Sequence, residues 1–328
     1  LTNRNTNMVK SILITGATGF VGKNLISLLA QQDYQLNAAV RRSETFLAPK
    51  VSTTIVGDID RNTDWQKALL NIDAVVHLAG RAHILKEKSD DPLTEFIKVN
   101  TAGTANLVKQ SVQAGVKHFI FISSLGAITT QSDRPLNERS PCQPDTPYGI
   151  SKLKAEQALL EIVQASAMDW TILRPPLVYG ADNPGNMARL IKLIKTGLPL
   201  PLSSIHNRRS FIYVGNLVSA IATCLQHPKA RSETFLVSDR EVLSTLELIQ
   251  LLGKGLDRQI YSFPCPAQLL KLAGQFTNQT STVDRLISSL EIDSSKIQTL
   301  LNWSPPFTVT EGLSITSQCY KSDNNSWK

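Results

Sequence analysis

Along the first half of the chain, short β-branched and apolar runs alternate with amphipathic stretches. SILIT (Ser11–Thr15), LNAAV (Leu36–Val40), TTIVGD (Thr53–Asp58), AVVHLAG (Ala74–Gly80), HFIFISS (His118–Ser124) and WTILRP (Trp170–Pro175) read as strands. Between them, Phe20–Gln32, Thr63–Ile72, Thr94–Ala114 and Tyr148–Ala167 carry apolar residues at helical spacing. Strands that are apolar at nearly every position need cover on both faces, and intervening helices supply it. The pattern predicts an α/β fold of Rossmann type, a doubly wound parallel sheet over residues 9–175.

Beyond Pro176 the texture changes. PPLVYGADNPGN and GLPLPLSS are rich in Pro and Gly and separate shorter elements. The expectation is a smaller α/β C-terminal lobe over 176–320 that binds substrate. It contains helices at Met187–Thr196, Asn216–Gln226 and Thr245–Leu256. Two runs, SFIYV at Ser210–Val214 and TFLVS at Thr234–Ser238, are candidates to rejoin the main sheet.

Composition narrows the function classes. With 42% hydrophobic and 19% charged residues, the chain has the make-up of an ordinary globular protein. The net charge of +7 is spread without a dense basic run, which argues against nucleic acid and suits a polyphosphate ligand. Cys142, Cys224, Cys265 and Cys319 stand far apart, so neither a zinc site nor a disulfide framework is indicated. The opening residues LTNRNTNMVK lack a signal-peptide core, and no apolar run reaches bilayer-spanning length. A cytoplasmic protein without membrane insertion is expected.

The first chemical signal is GATGFVG, Gly16–Gly22, between the first strand and the first helix. Glycines at 16, 19 and 22 permit a tight turn and close approach of backbone to a pyrophosphate at the helix N-terminus. Where an NAD site usually has a carboxylate after the second strand, this chain has Arg41 and Arg42, which favour the 2′-phosphate of NADP(H), with NAD(H) the other possibility. Solvated surface arginines are the alternative there. Asp58 is a candidate acceptor for the adenine amino group, and Gly80 gives the cofactor room beside the backbone.

The second signal is TPYGISK. Tyr148 and Lys152 share one helix face, and Ser124 ends the strand one loop earlier, at the carboxyl edge where α/β sheets bind ligands. A cation and a helix N-terminus both favour phenolate. Bringing a phenol from about 10 to neutrality requires about 4 kcal/mol. Ser124 is then placed to hydrogen-bond the substrate oxygen whose proton Tyr148 moves. His77 reads as a core histidine; His83 and His206 have no partners at ligand spacing, so no metal is predicted.

In order, GATGFVG, HLAG, VNTAGTANL, FISS, YGISK and RPPLVYG resemble the extended short-chain dehydrogenases/reductases over nearly the whole chain. The resemblance implies Ser124, Tyr148 and Lys152 as catalytic residues. It implies a cofactor set of Gly16, Thr18, Gly19, Phe20, Val21, Gly22, Arg41, Arg42, Asp58, Ile59, Leu78, Ala79, Gly80, Asn100, Tyr148, Lys152 and Pro175. Asn100 matches a position that supports the geometry of the active-site helix.

The nearest likeness is to nucleotide-sugar enzymes of the UDP-glucose 4-epimerase type. NRRSFIYVGNLV resembles a segment whose arginine, here Arg209, contacts the diphosphate, with Asn216 standing where the family has Asp. Asn186 and Arg285 are further substrate candidates beside Ser124, each with a turn or surface reading alongside, and Trp303 reads as packing. GRAH, PLVYGADNPGN, GLPLPL and NRRSF resemble reductases of UDP-4-keto-6-deoxy-N-acetylhexosamines that serve surface-polysaccharide synthesis, which implies a UDP-sugar 4-reductase using NADPH. A UDP-hexose 4-epimerase, a catalytically silent NADP-binding regulator and a flavonoid or steroid reductase stay open. Dehydratases carry Asp-Glu after the hydroxyl residue, where this chain has Leu125–Gly126, neither of which transfers a proton. Relatives imply a homodimer built on the Thr94–Ala114 and Tyr148 helices.

Overall fold

The structure, a computed structural model, describes residues 9–43, 48, 50–82, 89–183, 185–277 and 279–322. Seven strands form one parallel sheet: β1 (Ser11–Thr15), β2 (Gln35–Val40), β3 (Val51–Ile55), β4 (Ala74–His77), β5 (His118–Ile122), β6 (Asp169–Arg174) and β9 (Glu233–Leu236). Their order is β3-β2-β1-β4-β5-β6-β9, with β4 central and β1 beside it. The chain therefore winds first one way and then the other from β1, and the crevice at the β1/β4 reversal is where such sheets take ligands.

Both faces of the sheet are buried, as the near-continuous apolar strands predict. Ile12, Ile14, Ile120 and Ile122 enter one core, while Leu13, Val75, Phe119 and Phe121 enter the other. Each fully buried side chain of this kind contributes about 1.5–3 kcal/mol. The first core packs α1 (Phe20–Leu29) and α6 (Val214–Gln226); the second packs α3 (Thr104–Gln113) and α4 (Pro147–Val163).

Several elements differ from expectation. Thr63–Ile72 does not form a helix: one turn closes through Leu69 N to Trp65 O at 2.9 Å, and Asn71, at φ +58°, ends it in the left-handed region. Buried Trp65 anchors the segment, its amide bonded to Gln110 Oε1 at 2.8 Å. The long helix predicted at Thr94–Ala114 is present but not uniform. It comprises α2 (Pro92–Phe96), a π-helical stretch at Ile97–Gly103, and α3. The wider π turn admits an extra residue and re-aims side chains.

Beyond Tyr148 the helix ends at Val163, four residues before the predicted Ala167. Past β6 the chain adds β7 (Leu177–Tyr179), α5 (Asn186–Thr196) and β8 (Phe211–Tyr213), then α6, β9 and α7 (Thr245–Gly255). It closes with α8 (Ala267–Phe276), α9 (Thr280–Ile287), α10 (Ser295–Leu301) and α11 (Val309–Ser322). Of the two candidate returning strands, only TFLVS, as β9, joins the main sheet; SFIYV, as β8, pairs with β7 in a separate two-stranded sheet. Among the described residues, no helix is long and apolar enough to cross a membrane.

Candidate active site

β1 runs into Gly16, whose φ of +68° suits glycine. A Cβ there would stand 2.8 Å from the Ala79 amide nitrogen, so the β1 and β4 loops touch through backbone alone. Gly19 N donates to Gly16 O at 3.0 Å, and α1 starts at Phe20 with no side chain capping Gly19. The first amides of α1 and the positive end of its dipole are thus open to an anion. Thr18 is exposed and Val21 half-buried beside this turn. The cradle fits a dinucleotide pyrophosphate.

At the end of β2, Arg41 and Arg42 are both exposed. Arg41 Nε meets Asp58 Oδ1 at 3.0 Å, with side chains 72% and 85% exposed. Two residues read separately in the sequence, one for a phosphate and one for adenine, are therefore partners. So exposed a pair is worth at most about 1 kcal/mol and readily exchanges for a ligand. Ile59 fills the space beside Gly103, where a Cβ would come within 2.7 Å of its Cγ2.

The loop after β4 holds Leu78, Ala79 and Gly80. Ala79 N donates to Thr15 Oγ1 at 3.2 Å, and Thr15 Oγ1 lies 2.7 Å from His77 Nδ1. His77 Nε2 reaches Thr104 Oγ1 at 2.9 Å. Burial, then the Lys152 charge, pull His77 down to about 3, so the ring is neutral and structural, as the sequence reading has it. Asn100, inside the π stretch, accepts from Arg81 N at 2.7 Å and donates to Arg81 O at 3.1 Å and Ser151 Oγ at 3.0 Å. Both its N–H groups are thereby engaged, and its side chain ties the β4 loop to α4.

Thr146 caps α4, its Oγ1 accepting from Gly149 N at 3.1 Å, and Pro147 opens the helix. This local start sets Tyr148 in the first turn. Ser124 Oγ accepts from Gly126 N at 3.0 Å, and Ser124 and Tyr148 both border Gly126, where a Cβ would stand 3.3 Å from Ser124 Oγ and 3.9 Å from Tyr148 Cδ1. The ring of Tyr148 meets Phe96 edge-on at 6.0 Å. Lys152 is 5% exposed and donates from Nζ to Ile122 O at 2.6 Å, with the Phe121 ring centroid 4.1 Å away. Pro175 O accepts from Leu125 N at 2.8 Å, tying the Ser124 turn to the end of β6.

The expected acid shift of the phenol is not produced by the protein groups. Burial pushes Tyr148 above its ordinary value, and the nearby Ser124 hydroxyl only opposes this. The desolvation of a half-buried ring outweighs the effect of one neighbouring hydroxyl, and the Lys152 ammonium is turned to the Ile122 carbonyl.

Sequence reasoning missed Glu156 and Arg174. Glu156 lies one turn beyond Lys152 and is clamped by Arg174 Nε at 3.0 Å and Nη2 at 2.5 Å, both residues buried. The repeat of Tyr, Lys and Glu at four-residue intervals is the signal that was available.

In the C-terminal region, Arg209 Nη1 donates to Ser288 O at 2.9 Å and to Ser288 Oγ at 3.1 Å. Burial, and then the nearby Arg285 guanidinium on α9, pull Arg209 down to about 10. Two guanidiniums that repel one another could hold an anion near both. The segment carrying Arg209 is bonded to 288–292, and Ser132 and Leu136 of the loop beyond Ser124 donate to Ser289 O and Glu291 O. Asn186 opens α5, but its side chain lies outside the described residues, as does His83. His206 is exposed, and among the described residues no three His, Cys, Asp or Glu side chains gather as metal ligands.

Asn216 finds the carboxylate its family counterpart would have supplied. Its Nδ2 donates to Asp239 Oδ1 at 2.7 Å, and Tyr179 OH donates to Asp239 Oδ2 at 2.8 Å. Trp303 is buried, its Nε1 bonded to Ser219 Oγ at 3.2 Å, in keeping with a packing role.

Residues 12–238 match the model of the NAD dependent epimerase/dehydratase family. The chain belongs to that family. As a family member it is an enzyme of the extended short-chain dehydrogenase/reductase type. It is 42% identical to a Vibrio cholerae UDP-glucose 4-epimerase, over 97% of this chain and 98% of that one. It is 28% identical to an Escherichia coli O157:H7 N-acetyl-alpha-D-glucosaminyl-diphospho-ditrans,octacis-undecaprenol 4-epimerase, over 95% of each chain. Among solved structures, the Bacillus cereus UDP-glucuronic acid 4-epimerase with UDP-glucuronic acid and NAD superposes with a TM-score of 0.77 at 23% identity, over 95% of this chain and 99% of that one. The Thermotoga maritima UDP-glucose 4-epimerase with UDP-glucose gives 0.75 at 22%, over 95% and 99%. At those identities the likeness shows the fold.

Proposed function

We propose that this family member exchanges hydride between a nicotinamide dinucleotide and carbon 4 of a UDP-linked hexose. The observation that carries the reading is the adjacency of Ser124 and Tyr148, which both border Gly126 at the carboxyl edge of the sheet, one β-loop from a turn that fits a pyrophosphate. Arg209 and Arg285 suit a sugar-nucleotide diphosphate, and the relatives named for UDP-sugars support the class.

In this reading Ser124 Oγ binds the carbon-4 oxygen and Tyr148 OH moves its proton. The dinucleotide, held by the Gly16–Gly22 turn, supplies the hydride acceptor or donor when bound. Lys152 is the cation of the site, and Asn100 holds the β4 loop and α4 in register. Leu125 is buried and Gly126 has no side chain, so neither moves a proton for elimination of water.

Two outcomes follow from that shared step. Carbon-4 epimerisation, with retained NAD, is supported by the 42% identical relative. Net reduction of a UDP-4-keto-6-deoxy-N-acetylhexosamine by NADPH, supplying a sugar for surface polysaccharide, is favoured by Arg41 and Arg42 and by a Tyr148 phenol held in its protonated, proton-donating form. Purified protein incubated with UDP-hexoses, and separately with NADPH and the keto sugar, decides. Interconversion of the hexoses at constant 340 nm absorbance supports the epimerase; stoichiometric NADPH loss supports the reductase. No reaction in either assay overturns the proposal.

A further inference from the structure

Tyr148, Lys152 and Glu156 recur at four-residue intervals along α4 and so lie on one face. The first two belong to the proposed chemistry; the third has no part in it. Glu156 is 2% exposed, and both its oxygens are taken by Arg174 of β6, itself 7% exposed. A buried ion pair is a weak source of stability, because desolvation of two charges roughly cancels their attraction. The neighbour that gains from the carboxylate is Lys152.

The surroundings of the Lys152 ammonium are otherwise poor for a charge. The Ile122 carbonyl takes one of its three donors and the Phe121 ring face lies 4.1 Å away. The titratable groups facing it are Tyr148 and Glu156 on its own helix and His77 on β4, whose ring stacks on Phe121 at 5.7 Å. Behind Glu156 stands Arg174 on β6, with the Cys142 thiol beside it. The Glu156 carboxylate is the charge that favours the Lys152 ammonium. Burial pulls the ammonium down to about 7, and the Glu156 carboxylate opposes that pull.

We propose that Glu156, locked by Arg174, is a positioning residue that keeps Lys152 in its ammonium form against the Ile122 carbonyl, so that Tyr148 works beside a cation. The bidentate clamp also explains why the carboxylate does not close directly on Lys152: both its oxygens face Arg174, and it acts through its field. The role assigned to Tyr148 and Lys152 rests on the function proposed above, whereas the coupling of Glu156 to Lys152 does not.

The test follows the 13Cε signal of Lys152 against pH in the full chain, assigned by its loss in Lys152→Met. In Glu156→Gln its midpoint falls by about one pH unit, and the alkaline decline of kcat/KM moves to lower pH by the same amount. Because Glu156→Gln strands Arg174, Glu156→Gln/Arg174→Met is titrated beside it. That variant has no stranded charge, and its Lys152 midpoint also stays below that of the parent. An unchanged midpoint in the folded variants overturns the proposal and leaves the ion pair a structural clamp. A lowered midpoint in protein that turns over no UDP-sugar supports the coupling and sinks only the substrate reading.

Discussion

Gly149 and Gly126 meet backbone to backbone. A Cβ at 149 would fall deep inside the radius of the Gly126 carbonyl oxygen and 3.0 Å from its carbon, and a Cβ at 126 would come 3.3 Å from Ser124 Oγ. This contact sets how near α4 lies to the Ser124 turn, and hence how near Tyr148 lies to Ser124.

Gly149→Ala separates them. Alanine in a helix ordinarily gains about 1 kcal/mol over glycine, but overpacking costs about 1–3 kcal/mol, and here the obstacle is backbone that cannot rotate away. The variant is expected to melt lower and to lose about 100-fold in kcat, the scale on which misplaced catalytic groups are penalised. A variant with parental kcat would show that the contact does not position Tyr148.

Tyr148→Phe removes the hydroxyl and keeps the ring against Phe96. Turnover is expected to fall about 10²- to 10⁴-fold, while dinucleotide binding, followed by fluorescence, is unchanged. Parental turnover would remove Tyr148 from the chemistry.

Arg209→Ala removes a guanidinium that Arg285 already disfavours. A hydrogen bond to a charged group is worth about 1.5–3 kcal/mol, so UDP should bind about 10- to 100-fold more weakly by calorimetry. Equal UDP affinity in the two proteins would place the diphosphate elsewhere.

His118, like the more deeply shifted His77, ties stability to acid pH. Its ring is buried, Nε2 lies 2.8 Å from Thr171 Oγ1, and burial pulls it down to about 4, below the 6.5 of an unfolded histidine. The folded state holds the neutral form, so its stability is complete above pH 6.5 and is lost as pH falls towards 4. At pH 5 the loss from this residue is about 2 kcal/mol. Urea unfolding at pH 7 and pH 5 should show a smaller drop for His118→Phe, in which Thr171 Oγ1 still donates to Ala230 O. Equal drops would locate the acid sensitivity in other groups.

Much of the frame could be read from local pattern. SILIT, AVVH and HFIFI are buried strands because β-branched and apolar residues fill nearly every position, and the Gly16–Gly22 turn follows from the residues themselves. TDWQKALLNI shows the limit of such reading. Its spacing fits a helix, but a buried Trp65, the Gln110 side chain and a left-handed Asn71 hold it in turns. Asn216 looked like a lost carboxylate until Asp239 appeared beside it from 23 residues on.

Sequence alone determined the strand and helix periods, the glycine turn, and the Tyr148–Lys152 face, because each depends on neighbours within a few residues. Only the tertiary structure decided that Arg41 meets Asp58, that Arg174 locks Glu156 beneath Lys152, and that Arg209 is set near Arg285. Those pairings join residues distant along the chain, and their strength depends on burial, which local pattern does not encode.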